Sequence, residues 1–443
     1  MNAIYTRKFI SRSHHVHLVV ALAVTVVVVW MEPESVQAAV EGLVEEAVDQ
    51  EVLRVLDTLL LRPSNRRPLR ERYRPPGVRT TASDADRGAR MCHDILYGPN
   101  QYAKAITRMN KDVLWSLIRE LESRGLTGRE VSPAEQVVVF MHHVSHNASY
   151  GVLRWIYQHS TNGFHSYIKR ISKLLCEMAG DYMQPPMEPD HPRDKVDDPK
   201  FYPFFKDCLG ALDGTHVPIK VRGVDANNYR NRKAGVSQNV LAVCDLHMRF
   251  VYVLPGYEGS ANDTTVLNAA AKRSFIVPAG KYYLADGGYS KKNRRVLVPY
   301  PKTRYHLREF EAAKMKPRTK EELFNLRHAQ YRNCIERIFG ICKLRFRCLA
   351  DGANKGYGIR MNSRFVVACC VVHNFMYAHG QSPDSEGWNW RPQDIDVGFE
   401  VREGVAEGAS DSQQDRAMLK VRDDIAVAMW EQYKTTIDYR VEH

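Results

Sequence analysis

Four prolines between Gln184 and Pro192 divide this chain, because apolar residues repeat with different periods on their two sides. Upstream, Leu114, Leu117, Ile118 and Leu121 recur at helical spacing, as do Val137, Phe140, Met141 and Val144 behind a Ser132-Pro133 start signal. Downstream the apolar residues come in short runs of strand length: Leu209 to Leu212, Val217 to Val221, Val240 to Cys244, Phe250 to Leu254 and Tyr282 to Ala285. A helical region followed by a mixed α/β region is the fold class this pattern dictates. At 443 residues and 44% hydrophobic, the chain is too long for one compact domain and apolar enough to fill a large core.

Within the helical region a short helix around Val152, Leu153, Ile156 and Tyr157 meets a polar turn, His159 to Gly163. A second helix follows with Phe164, Ile168, Ile171, Leu174 and Leu175 inside and Lys169, Arg170 and Lys173 outside. Helix, short turn and basic helix is the helix-turn-helix outline, whose second helix reads a DNA groove. Any helical bundle with short turns gives the same pattern, and the apolar stripe is core first. Further upstream, Arg62 to Arg79 carries seven arginines and one acid, a segment that cannot pack and suits phosphate binding, nuclear targeting or simple solvation. At the N-terminus Arg7, Lys8 and Arg12 precede an apolar run, Leu18 to Met31, with the outline of a signal peptide. Its 14 residues are short for a membrane span. No stable membrane association and a nuclear location are expected, with membrane or secretory targeting as the minor alternative. The division that follows is 1–89 (apolar helix and arginine arm, largely flexible), 90–183 (helical), 184–198 (linker), 199–380 (α/β) and 381–443 (polar tail).

In the α/β region Asp213 follows one apolar run and Asp286 another. Asn262-Asp263 opens a helix bearing Val266 and Leu267, and Glu336 sits beside the apolar face Tyr331, Ile335, Ile338, Cys342 of a later helix. Carboxylates at strand ends facing one on a helix make a hard oxygen site suited to magnesium or manganese. Two such ions activate an attacking oxygen and steady the leaving one at phosphorus. Each acid has a plainer reading. Asp213-Gly214 and Asp286-Gly287-Gly288 are turn sequences, Asp263 suits an N-cap, and Glu336 can pair with Arg332 four residues earlier. Their order along a βββαβα pattern is what favours the joint reading.

Lysine and arginine outnumber acids 63 to 51, and between Asp286 and Arg347 the ratio is 17 to 6. Such a face suits a polyanion, through counterion release, or merely solubility. Nine cysteines without a CxxC pair indicate reduced thiols rather than a zinc knuckle or disulfide framework.

The string Gly210-Ala211-Leu212-Asp213-Gly214-Thr215-His216 resembles the first-aspartate motif of Harbinger-type DDE transposases. Gly259-Ser260-Ala261-Asn262-Asp263 is similar to their Gly-Ser-x-His-Asp motif, with Asn262 at the usual histidine. Leu284-Ala285-Asp286-Gly287-Gly288-Tyr289, Arg332-Asn333-Cys334-Ile335-Glu336-Arg337-Ile338-Phe339-Gly340 and His373-Asn374-Phe375 resemble later motifs, with 49 residues between Asp286 and Glu336. The resemblance spans roughly residues 90 to 380. It implies a ribonuclease H-like catalytic domain, a mixed sheet with flanking helices. It implies Asp213, Asp286 and Glu336 as the catalytic triad, with Asp263 as a further ligand for two Mg²⁺ or Mn²⁺ ions. Expected activities are DNA phosphodiester cleavage and strand transfer. Expected partners are DNA, a Myb-like DNA-binding protein and a second copy on DNA. Arg332, Arg337 and Lys343 would hold phosphates beside the metals, and Lys169, Arg170 and Lys173 would read a groove. The rival readings are a transposase-derived DNA-binding regulator that cuts nothing and a membrane-tethered or secreted metal-dependent phosphatase or nuclease. Metal titration separates the first, and the mature N-terminus the second.

Overall fold

A computed structural model describes residues 82–221, 227–230, 235–289, 295–303, 316–354, 356–382 and 413–442, all within the compact unit Gly77–His443. The N-terminal apolar run and the arginine arm lie outside the described residues.

Six helices come first: α1 (Ala82–Tyr97), α2 (Asn100–Thr107), α3 (Lys111–Ser123), α4 (Pro133–His146), α5 (Tyr150–Tyr157) and α6 (Thr161–Glu177). Serine caps set three of their starts. Ser132 accepts from the Glu135 amide, Ser149 from Val152 and Ser160 from Gly163, each satisfying an amide that the helix leaves open. The central helix is α4, buried at every position from Glu135 to Ser145, which is why its apolar pattern has no polar face. The pair α5 and α6 meets at Gln158, whose φ of 60° turns the chain sharply. The apolar face of α6 (Phe164, Ile168, Ile171, Leu174, Leu175) is buried, and Lys169, Arg170 and Lys173 are exposed.

The second half is a five-stranded mixed sheet in the order β3-β2-β1-β4-β5, built from β1 (Cys208–Pro218), β2 (Ser237–Cys244), β3 (Phe250–Glu258), β4 (Tyr282–Leu284) and β5 (Val296–Leu297). β1 to β3 are antiparallel neighbours, while β4 and β5 run parallel to β1. Four helices complete the described residues: α7 (Asp263–Arg273), α8 (Lys320–Arg345), α9 (Ile359–Ala378) and α10 (Gln413–Glu442), besides single turns. This arrangement is compatible with the ribonuclease H-like expectation. Leu212, Leu241, Val243, Val266, Leu267, Phe275, Tyr283 and Val296 form the core between the sheet and α7.

The structure departs from the sequence reading in three places. Asp213 does not end a strand: β1 runs through Asp213-Gly214-Thr215, paired to β2 from Ala211 opposite Cys244 to Pro218 opposite Ser237. Ladder hydrogen bonds along this stretch override the turn preference of Asp-Gly. The two residues of β5 are too few to leave a pattern. The polar tail contains α10, which buries Ala426 and Met429 and packs against α8. It is anchored by the Tyr300 hydroxyl, which donates to Asp423 at 2.6 Å, and by the Arg422 guanidinium 3.9 Å above the Tyr300 ring. The nine cysteines are free thiols, seven of them buried. Among the described residues no helix is long and apolar enough to cross a membrane.

Candidate active site

The site is built outward from β1. Asp213 stands mid-strand opposite Ala242 and is 8% exposed. Its Oδ1 accepts from the Gly214 amide at 2.8 Å, and its Oδ2 accepts from Arg332 Nη1 at 2.9 Å. Glu336, one turn along α8 from Arg332, accepts from Nη2 of the same guanidinium. Arg332 therefore bridges two members of the expected triad, and its own side chain is 11% exposed.

The other two acids are fixed by their own loops. Asn262 caps α7 by accepting from the Thr264 amide at 2.9 Å, so the capping role falls to Asn262 and Asp263 is left for other work. Asn239 on β2 donates to Asp263 Oδ1 at 3.0 Å and to the Ala261 carbonyl at 3.1 Å. Gly214 permits this approach, since a Cβ there would lie 2.7 Å from Asp263 Oδ1. Asp286 follows β4, the parallel neighbour of β1, and its Oδ1 accepts from the Gly288 amide at 3.0 Å. The Thr264 hydroxyl reaches the Gly288 carbonyl at 3.5 Å, tying the start of α7 to the turn that carries Asp286.

Electrostatics bind these residues into one site. Burial pushes the Asp213 carboxyl up to about 8. Arg332 opposes that rise, while Asp286, Glu336 and Asp263 add to it. Burial and then Asp213, Asp263 and Asp286 likewise push the Tyr289 phenol upward. Tyr289 closes the Leu284–Tyr289 motif, yet sequence reasoning gave it no role. Its signal was a tyrosine three residues after Asp286, indistinguishable from core. Burial lowers the Arg332 guanidinium, but Glu336, Asp213 and Asp286 together outweigh that and hold it raised.

Among the described residues no three His, Cys, Asp or Glu side chains stand close enough to grip a metal ion as they are. The donor chemistry nevertheless fits a hard divalent cation: the site gathers carboxylate oxygens, with Asp286, Glu336 and Asp263 all acting on a buried Asp213.

The residues expected to touch DNA are placed less uniformly. Lys169 is exposed, Arg170 donates to the Thr127 carbonyl at 2.7 Å, and Lys173 pairs with Glu177 at 3.4 Å. On α8, Arg332 and Lys343 are buried and Arg337 is half-buried, so the charge surplus counted there is not one open basic face. Arg345 is buried as well, its Nη1 2.9 Å from His373 Nδ1.

Residues 212–374, which contain all four acids, match the DDE superfamily endonuclease family, and residues 84–177 match a domain of unknown function. The protein named "Putative nuclease HARBI1" is 28% identical over 220 residues in Rattus norvegicus and 27% in Homo sapiens, covering 48% of this chain and 58% of each relative. "Protein ALP1-like" of Arabidopsis thaliana is 23% identical over 268 residues, covering 56% of this chain and 62% of that protein. The matches thus span less than two thirds of these relatives' length. No solved structure matches. Over residues 212–374 the chain thus matches a DDE superfamily endonuclease domain and is similar to Harbinger-derived, transposase-like nucleases.

Proposed function

We propose that this protein is a metal-dependent DNA endonuclease that cleaves phosphodiester bonds through Asp213, Asp263, Asp286 and Glu336. The observation that carries the reading is the burial of Asp213 where Asp286, Glu336 and Asp263 all act on it, with Arg332 bridging Asp213 and Glu336.

The four acids would hold two Mg²⁺ or Mn²⁺ ions, which when bound supply the charge needed to activate one oxygen and steady another at phosphorus. The protein's own groups prepare the site. Asn239 fixes the rotamer of Asp263, and the Gly288 amide fixes that of Asp286. Arg332 neutralises Asp213 and Glu336, so it must share or release them when they take another cation. Strand transfer is the same displacement with a DNA hydroxyl as the nucleophile. The ribonuclease H-like fold, the groove-reading role of α6, nuclear location and pairing with a Myb-like protein or a second copy belong to the same proposal.

The test is purified full-length protein with plasmid and duplex DNA in Mg²⁺ or Mn²⁺. Replacing Asp213, Asp286 or Glu336 by alanine is expected to cut cleavage by about 10²-fold or more. Asp263→Ala is expected to be as damaging, since Asn262 and not Asp263 caps α7. Wild-type cleavage that survives full chelation, or a metal-loaded protein that binds DNA and never nicks it, refutes the reading. The second outcome would leave a DNA-binding regulator.

A further inference from the structure

The hollow between α6 and the start of α9 has no part in the chemistry described above. It is about 380 Å³, within the roughly 300–1,000 Å³ usual for ligand sites. Its wall includes His165 and Lys169 from α6, Gly358 before α9, and Arg360 and Arg364 from the first turns of α9, with no acidic residue among the lining. Lys169 and Arg360 are exposed and Arg364 half-buried, and among the described residues no carboxylate pairs with any of the three. The 20-residue α9 opens on this hollow with no side-chain cap and no acid in its first turn, which adds the positive end of its dipole. Three unneutralised cations around one concavity raise its positive potential and attract an anion.

The hollow is linked to the acidic site by β2. Gln238 accepts from Ser363, the neighbour of Arg364, at 3.2 Å, while the next residue, Asn239, holds Asp263 at 3.0 Å. Gln238 and Asn239 are consecutive, so the helix that lines the hollow and the acid Asp263 meet the same end of β2. The hollow also joins the two family-matched regions, since α6 lies within 84–177 and the start of α9 within 212–374.

We propose that this hollow is a phosphate-binding subsite that seats the backbone of duplex DNA away from the scissile bond, with Lys169, Arg360 and Arg364 as its contacts. The assignment rests on the nuclease reading for its choice of polyanion. It predicts that the helical region grips DNA by backbone charge here rather than only by reading bases, so sequence preference is untouched by these residues.

The test is duplex binding as a function of salt in Ca²⁺, for full-length wild type, the Lys169→Ala, Arg360→Ala and Arg364→Ala variants and the triple variant. Each loss is expected to lower the log–log salt slope by about 0.9, and the triple variant by up to about 3. Affinity should fall equally for unrelated sequences, and the Mn²⁺-induced rise in melting temperature should be retained. Inorganic phosphate, titrated alone against wild type and the triple variant, separates a free-anion site from a backbone site. Phosphate bound in the hollow with no change in the DNA slope overturns the proposal, as does a wild-type slope in the triple variant whose parent still cuts DNA. A lowered slope in a protein that never cuts DNA upholds the subsite and refutes the nuclease instead. A wild type that binds no DNA refutes both.

Discussion

The acidic site on β1 and the basic hollow beside α9 treat charge in opposite ways. At the first, Asp213 and Arg332 are buried and hydrogen-bonded to each other, so neither can change alone without stranding its partner. At the second, Lys169, Arg360 and Arg364 are hydrated or half-hydrated and face no carboxylate. The first arrangement costs stability when it is disturbed. The second costs little, because water solvates its cations until an anion arrives. The lesson is that the same countable excess of lysine and arginine has two fates, and only packing decides between them.

Removing the bridge should have the largest effect. Arg332→Met leaves Asp213 and Glu336 facing each other with Asp286 and Asp263 nearby. The loss expected in chelator is about 3–5 kcal/mol, the range for breaking a buried pair. Mn²⁺ should restore more stability to this variant than it adds to wild type, because the cation replaces the missing charge. Thermal unfolding with and without Mn²⁺ measures both quantities. Equal metal-induced shifts in the two proteins would mean that Arg332 and the metal do not share the carboxylates.

Much of this architecture was legible. Ser132-Pro133 marked the start of α4 and Asn262 that of α7, the apolar stripe gave α6 because one face of it is buried, and the unbroken apolar run gave β2 because every position of it is buried. Illegible features depended on long-range pairing. Asp213-Gly214 is a turn by local preference and a strand interior because β2 lies beside it. α10 buries few apolar residues, so its polar sequence hides a helix that docks. The four acids could be aligned in sequence, but Arg332 between two of them could not, since an i,i+4 neighbour of Glu336 also reaches Asp213 only once α8 lies across β1. Tyr289, buried behind the acids, gave no sign of its place.

Lys343 tests the buried half of the comparison at intermediate size. It is 9% exposed, and burial pushes its ammonium down to about 8 from an ordinary 10.5. Between those two values the unfolded chain holds a proton that the folded chain has shed, so stability rises with pH there. Below about pH 8 the penalty of burying the charge is present in full. Lys343→Met should therefore be more stable than wild type at pH 7, by up to about 3 kcal/mol, with the gap closing towards pH 10. Denaturant midpoints at the two pH values decide it. A gap independent of pH would place the gain in packing and leave the charge of Lys343 without effect.

The smallest expected effect separates neighbours on the outer face of α6. Lys173 lies 3.4 Å from Glu177 in an exposed i,i+4 pair, whereas Lys169, one turn earlier, lines the hollow and has no acid beside it. Neither substitution by alanine should move stability by more than about 0.5 kcal/mol, since both residues are surface-exposed. Their DNA behaviour should differ. Glu177 already offsets part of the charge of Lys173 and repels a phosphate brought to it, so Lys173→Ala should change the salt slope by well under one unit. Lys169→Ala should remove nearly a whole contact, about 0.9. If instead Lys173 carries the larger slope the hollow is a bystander, and if Lys169→Ala changes sequence preference by about 1–3 kcal/mol then Lys169 reads a groove and not the backbone.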